Sequence, residues 1–238
     1  MKKYFKLIFV AVLALFVIIS AGCGNQTEGQ QTGEQQNVEG SDQQTAPPAD
    51  AVGNLTKENP LEVNKEEGTV TFLAQVNGKY FYEPTRHGAV FAEGGNGEKS
   101  VFRAFADPEA FYHALVEIGA TAGENMTMEN METTNVQGDG FDVTVTWTGA
   151  EKEVTLDEAI TDSNGTPFDI RFGGNLKNAQ DKKTGCLICL DSCPVGITSN
   201  AAYTFGAVES RKDVEFMGNK DVLPADGTFV AVKMALKK

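Results

Sequence analysis

Short runs in which apolar and polar residues alternate, or in which β-branched residues dominate, recur along the chain from residue 69 onward. The clearest run is 141–147, where every second side chain is apolar and the side chains between them are polar. This period of two is typical of a strand with one buried and one solvated face. By the same criteria the sequence predicts strands at 69–76, 79–82, 89–91, 101–105, 141–147, 153–156, 168–172, 201–208 and 228–236.

Turn signals join some of these runs into predicted hairpins. Asn77-Gly78 directly follows the first run, and Asn-Gly is the strongest short hairpin signal. The glycine-rich stretch 94–97 lies between the runs at 89–91 and 101–105. It predicts a second hairpin with a longer loop.

One segment carries complete helix start and stop signals. Asp107 is a suitable N-cap, Pro108 suits the first helical position, and Gly119 ends the apolar stripe. The sequence therefore predicts a helix over about 108–118 among many short strands. The predicted fold class is α+β, mostly antiparallel β-sheet with this one helix and a cysteine-rich loop between strands.

The first 22 residues have the features of a secretory signal peptide. Lys2, Lys3 and Lys6 precede an apolar run, 7–19, that is too short to be an ordinary membrane span. Small residues and then Cys23 follow, which resembles the lipobox of bacterial lipoproteins. The resemblance implies that Cys23 becomes the lipidated N-terminus, so we expect a cell-envelope protein outside the cytoplasm, anchored to a membrane by its lipid.

Three regions are predicted in all. Residues 1–22 are the signal peptide, and residues 23–59 are the lipidated cysteine and a disordered linker rich in Gln, Gly and Glu. Residues 60–238 are long enough for a single globular domain with its own core.

The charge of the chain bears on its partners. The formal net charge is −13, and removal of a leader that contains lysines but no acid makes it more negative. This balance argues against nucleic acid as a partner and leaves the lipid anchor as the predicted contact with the membrane. An envelope or redox protein partner stays unidentified.

The most unusual chemistry lies in Cys186, Cys189 and Cys193, three of the four cysteines of the chain within eight residues. Their C-x2-C-x3-C-P spacing matches the last three cysteines of the bacterial ferredoxin run, with Lys183 at the place of the first. Three thiolates could also hold zinc with a histidine as the fourth ligand. Outside the cytoplasm the same residues could instead form a disulfide or a redox-active pair, or they could stay reduced and inert. The candidate metal ligands are Cys186, Cys189 and Cys193, and the possible cofactors are zinc or an iron–sulfur cluster.

His87 and His113 are the only imidazoles that could complete such a site. His113 falls off the apolar stripe of the predicted helix, so we expect it to be a solvated surface residue. No catalytic motif accompanies either histidine.

Three segments together resemble the YdjY-domain family. They are Asp107–Ala120, which is similar to the family's helix and following turn, Phe172–Asn175, and Cys186–Asn200. The resemblance covers about residues 60–238 and implies an envelope domain, in some members with a ferredoxin-type label. It implies no mechanism.

The sequence thus favours a membrane-anchored binding or accessory module over an enzyme. The cysteine cluster would be closed by disulfide or would bind a metal. Two alternatives stay open, an iron–sulfur electron-transfer protein of ferredoxin type and a thiol–disulfide exchange protein.

Overall fold

A computed structural model describes residues 50–238, and within them the chain is mostly strand. Helix accounts for 13% and strand for 31% of these residues. The strands are β1 (Leu61–Asn64), β2 (Thr69–Val76), β3 (His87–Phe91), β4 (Ser100–Ala104), β5 (Gly140–Thr146), β6 (Val154–Thr155), β7 (Ile160–Asp162), β8 (Ile170–Phe172), β9 (Cys186–Cys189), β10 (Thr198–Asn200), β11 (Phe216–Gly218) and β12 (Phe229–Leu236). The helices are α1 (Pro108–Glu117), α2 (Leu156–Ala159) and α3 (Leu176–Lys182), and a 3-10 turn spans Gly78–Phe81.

Eight of the strands close into a barrel. Going round the ring, the order is β2, β12, β5, β8, β10, β9, β3, β4, and β4 pairs back onto β2. Three residue pairs between β2 and β4 close the barrel, from Ala74 with Ala104 to Val76 with Phe102. β1 and β6 pair outside the ring with β2 and β5, and β7 with β11 forms a separate small sheet.

The predicted fold class, α+β with mostly antiparallel sheet, is wrong. The chain is a mainly β protein whose sheet is a closed eight-stranded barrel. Alternation identifies strands but carries no information on which strands become neighbours, so it did not reveal the closure between β4 and β2. That pairing is a contact between backbone groups of segments whose side-chain patterns are ordinary.

One side of the barrel is regular. β1, β2, β12 and β5, which we call the antiparallel wall, pair antiparallel along registers of up to seven residue pairs. The predicted strands at 69–76, 141–147 and 228–236 are confirmed here. Val232 pairs with Phe72 on one neighbour and with Val145 on the other, and all three side chains are buried.

The other side is irregular. β10, β9, β3 and β4, which we call the thiol wall, contain two parallel pairs, β10 with β9 and β3 with β4. The antiparallel pair between β3 and β9 has two register shifts. The predicted cysteine loop is therefore wrong in part, because Cys186 and Cys189 are the first and last residues of β9.

Both predicted hairpins are wrong. Residues 78–81 form a 3-10 turn, and Gly78 packs so closely on Asp226 that an added Cβ would lie 2.6 Å from the Cβ of Asp226. β3 and β4 are neighbours but run parallel. In both places the glycines permit close approach to a distant segment rather than a reversal of the chain.

The predicted helix is confirmed as α1. Asp107 caps it by accepting from the backbone N–H groups of Glu109 and Ala110, and Pro108 is its first residue. Phe111 from α1 packs edge-on against Phe72 of β2 in the main core.

The predicted strand at 201–208 is wrong. These residues form turns after β10, and their backbone groups bond to the cysteine segment, with Ser192 N–H donating to Tyr203 and Gly206 N–H donating to Asp191. At the start of the described chain, Val52 and Leu55 form a small turn that packs on Leu73.

Cys23 and the predicted signal peptide lie outside the described residues. Within residues 50–238, none of the helices has both the length and the apolar character required to cross a membrane.

Candidate metal centre

Three neighbouring strands bring the candidate site together. In the register of the sheet, His87 of β3 pairs with Cys189 of β9, and Cys189 pairs with Ser199 of β10. Residues that face each other across paired strands project from the same side of the sheet. His87, Cys189 and Ser199 therefore form one row across the thiol wall.

The sulfur and imidazole atoms converge at one end of this row. Cys186 Sγ lies 3.5 Å from His87 Nδ1. Cys186, Cys189 and His87 each offer one ligand atom within 4.8 Å of the others. All three cysteines are free thiols in the structure and are at most 1% exposed.

A glycine contact holds the cysteine strand at this place. Gly94 and Gly185 pack so closely that a Cβ added at Gly94 would lie 2.6 Å from the Gly185 α-carbon. Gly95 and Asn96 N–H groups donate to the carbonyls of Lys183 and Thr184. The glycine-rich loop between β3 and β4 thus clamps the residues that directly precede Cys186.

Cys193 lies in the turn after β9 and joins the same cluster. It packs with Cys186, Cys189 and Val90 in a small buried group. The amide of Asn175 donates to the carbonyls of Cys193 and Gly196, which fixes the turn from the opposite side. A Cβ at Gly196 would lie 2.8 Å from Cys189 Sγ, so only glycine leaves room for the sulfur here.

Hydrogen bonds among the thiols separate their pKa values. The single S–H of Cys189 can donate to the sulfur of Cys186 or of Cys193, and these interactions raise the pKa of Cys189 well above its ordinary value. The hydrogen bond from Cys189, followed by that from His87, holds the pKa of Cys186 well below its usual range. The interaction with the Cys189 thiol and the positive charge of Arg86 lower the pKa of Cys193. The lowered pKa values favour the thiolate, the form that binds metals, at Cys186 and Cys193, whereas the raised pKa of Cys189 favours its protonated form.

A buried ion pair lies beside the cluster. Arg86 Nε donates to Asp191 Oδ1 at 3.0 Å, and the guanidinium stacks on Phe205 at 4.0 Å from the ring centre. Burial lowers the pKa of Arg86, but Asp191, Cys193 and Cys189 outweigh burial and raise it. A permanent cation therefore stands next to the thiols, and its charge favours the thiolate form of Cys193.

A hydroxyl near the cluster is unsatisfied. Ser199 Oγ and Thr184 Oγ1 are the buried side-chain oxygens of the described residues that lack a hydrogen bond of ordinary geometry, but Thr184 still acts on Cys186 and helps to lower the pKa of that thiol. Ser199 is fully buried. Such orphans are rare in proteins and require an explanation.

The sequence named some of these residues and missed others. It named the three cysteines and offered His87 and His113 as imidazoles, and the structure brings His87 to the cluster. His113 is 62% exposed on α1, as predicted. The sequence marks Asp191 as unusual, because it is a charged residue inside a cysteine-rich apolar run. Nothing in the sequence near Arg86 indicates its role, because its partner Asp191 is far away in the chain.

The YdjY domain profile matches residues 61–235 of this chain, which include the candidate site and all of the barrel except the last residue of β12. The chain belongs to the YdjY family. A relative named "Uncharacterized protein YdjY", from Escherichia coli (strain K12), is 57% identical over 178 residues, which are 75% of this chain and 79% of the relative. No solved structure matches. The resemblance to the YdjY family drawn from the sequence is thus confirmed, and the barrel described here is the fold of a YdjY domain.

Proposed function

We propose that this YdjY protein is a lipid-anchored envelope protein whose barrel binds a single metal ion, with zinc the best fit. Its ligands would be His87, Cys186, Cys189 and Cys193. The observation that carries the proposal is the convergence of one imidazole nitrogen and two sulfurs within 4.8 Å, with the third cysteine beside them.

The spacing of the ligand atoms supports a mononuclear ion. Tetrahedral zinc has Zn–S bonds of about 2.3 Å and Zn–N bonds of about 2.0–2.1 Å, which places a bound nitrogen and sulfur roughly 3.5 Å apart. Cys186 Sγ and His87 Nδ1 already lie at 3.5 Å. These two ligands need not move to accept the ion.

Burial supports a non-catalytic role for the ion. Catalytic zinc keeps an open position for water or substrate, whereas structural zinc is enclosed by four protein ligands. His87 is 6% exposed and the cysteines are buried more completely. A closed Cys3His site would stabilise the thiol wall and leave no position for a substrate.

The same burial argues against thiol–disulfide exchange. Reactive cysteines are partly exposed to their partners, while these thiols are enclosed. The imidazole of His87 also lies within 4.8 Å of both sulfurs. A disulfide between Cys186 and Cys189 would leave this third ligand atom without a role.

A ferredoxin-type electron-transfer protein is the second candidate, and the C-x2-C-x3-C-P spacing favours it. A four-iron cluster is anchored by four cysteines. Apart from the three in the cluster, the sequence has only Cys23, which is proposed to carry lipid. Iron would therefore have to use His87 as an anchor and move the ligands apart.

Metal analysis of protein purified without oxygen tests both candidates. We expect one zinc per chain, no visible colour, and three thiols that react with a thiol reagent only after the metal is removed. His87→Ala should lower zinc affinity, whereas His113→Ala, which changes the exposed histidine, should leave it unchanged. Iron and sulfide in the wild-type protein would favour the second candidate, and metal-free protein with three free thiols would exclude both.

The anchor is tested separately. Replacement of Cys23 by Ser should move the protein from the membrane fraction to the soluble envelope fraction, because a lipid chain can no longer be attached. Zinc content should stay the same, since the proposed ligands all lie in the barrel. Unchanged membrane association would contradict the proposed anchor.

A further inference from the structure

The fully buried hydroxyl of Ser199 is the strongest unexplained feature of the thiol wall. It belongs to β10, a strand whose neighbours on both sides are well paired. Within the described part of the chain its oxygen has no hydrogen-bond partner. A buried hydroxyl without a partner is costly, so its retention calls for a partner that is present only in another state of the protein.

The register of the sheet identifies where that partner would be. Ser199 pairs with Cys189 in the parallel ladder of β10 and β9, so both side chains project from the same face. A Cβ built on Gly196 would lie 2.8 Å from Cys189 Sγ and 3.1 Å from Ser199 Oγ. Hydroxyl and sulfur therefore border the same small space beside Gly196.

The neighbouring hydroxyl on the same strand behaves differently. Thr198 points to the opposite face, where its Oγ1 donates to the carbonyl of Leu187 at 2.7 Å. It is equally buried. Two adjacent residues of one strand thus carry one satisfied and one unsatisfied hydroxyl, and the unsatisfied one faces the thiols.

We propose that Ser199 is a positioning residue for the metal centre, and that its hydroxyl donates a hydrogen bond to Cys189 Sγ when that sulfur binds the ion. This inference rests on the proposed metal site. A metal-bound thiolate has lone pairs that accept such a bond, and the bond holds the sulfur in place and reduces its charge. Residues that contact ligands in this way typically contribute about 10–100-fold to metal affinity.

The proposal makes opposite predictions for the metal-free and metal-loaded forms. In Ser199→Ala the metal-free protein should melt at the same temperature as wild type or higher, because an unsatisfied buried hydroxyl is removed. Its affinity for Co(II), used as a coloured substitute for zinc, should fall about tenfold. The sulfur-to-cobalt charge-transfer band should move to lower energy, since the thiolate has lost a hydrogen-bond donor.

Two further variants complete the experiment. Thr198→Val should lower the melting temperature of the metal-free protein but leave Co(II) affinity and the absorption band unchanged. Ser199→Thr keeps the hydroxyl and should retain most of the affinity and the wild-type band position.

The outcomes separate the two proposals. If wild type binds no Co(II) or zinc, the metal site itself is wrong and this inference fails with it. If wild type binds Co(II) but Ser199→Ala binds it equally well with the same band, the site stands and the role of Ser199 is wrong. A variant that loses stability and affinity together, without the band shift, would show that Ser199 is only a packing residue.

Discussion

The two walls of the barrel are built by different means. The antiparallel wall has long registers and apolar side chains on its buried face, so burial alone specifies it. The thiol wall has short strands, parallel pairs and shifted registers; it buries His87 and Ser199, and the residues that flank its strands include the buried pair of Arg86 and Asp191. The comparison teaches that a regular sheet supplies stability, while an irregular one places polar groups where a sheet would not otherwise hold them.

The largest effect should come from the core of the antiparallel wall. Phe72 is fully buried and stacks edge-on with Phe111, so Phe72→Ala should lower the free energy of unfolding by about 4 kcal/mol. Urea denaturation would measure the loss. Val116→Ala, at an exposed site on α1, should change it by less than about 0.5 kcal/mol.

Zinc content sharpens this first prediction. Folded Phe72→Ala should retain one zinc per chain, because the change lies on the other wall. Loss of zinc from the folded variant would show that packing in the antiparallel wall affects metal binding in the thiol wall.

The ion pair in the thiol wall should give the next effect. Asp191→Asn leaves the Arg86 guanidinium buried without its counter-charge, which should lower the free energy of unfolding by about 3 kcal/mol. Adding Arg86→Met to the same chain should recover much of that loss. Asp213→Asn, in the exposed pair with Arg211, is the matched control and should have little effect.

A double variant no more stable than Asp191→Asn alone would contradict this reading of the pair. Asp191 would then matter through its second bond, in which it accepts from Gly206 N–H.

Metal removal should act on one wall only. A free zinc concentration about 100 times its Kd stabilises the bound state by about 2.7 kcal/mol. Chelation should therefore speed amide hydrogen exchange in β9 and β10 by up to about 100-fold and leave β2, β5 and β12 nearly unchanged. Equal acceleration in both walls would mean that exchange occurs through global unfolding.

The smallest effect concerns pH and the antiparallel wall. The hydrogen bond from Lys233 lowers the pKa of Glu153 below its ordinary value, so the carboxylate stabilises the fold above about pH 4.5 and loses this contribution as the pH falls. Because the pair is partly exposed, Glu153→Gln should cost a few tenths of a kcal/mol at pH 7. The difference between the variant and wild type should shrink as the pH is lowered from 7 and vanish below the lowered pKa of Glu153. A difference that stays constant with pH would exclude the charge as its cause.

The contrast between the walls also explains what the sequence could predict. β5, β12 and α1 carry local signals, namely alternation, β-branched residues and a capped helix start. These signals are sufficient to predict the three elements. The two hairpins were wrong because Gly78 and Gly94 serve contacts with Asp226 and Gly185, which no local pattern reveals.

The site was predictable in its three sulfur atoms and, as one of two candidate imidazoles, in His87. Three cysteines in eight residues stand out in any sequence, whereas Arg86 and Ser199 are common residue types in ordinary contexts. Their roles come from sheet register and burial, which appear only when the strands are paired.

The contact between Gly94 and Gly185 means that a loop without any cysteine helps to set the position of the thiols. Each of these residues carries a hydrogen atom where every other amino acid has a carbon, and the two segments of the chain touch at that point. Gly94→Ala should therefore reduce binding of the proposed ion as much as Cys186→Ser does, although it alters none of the proposed ligand atoms.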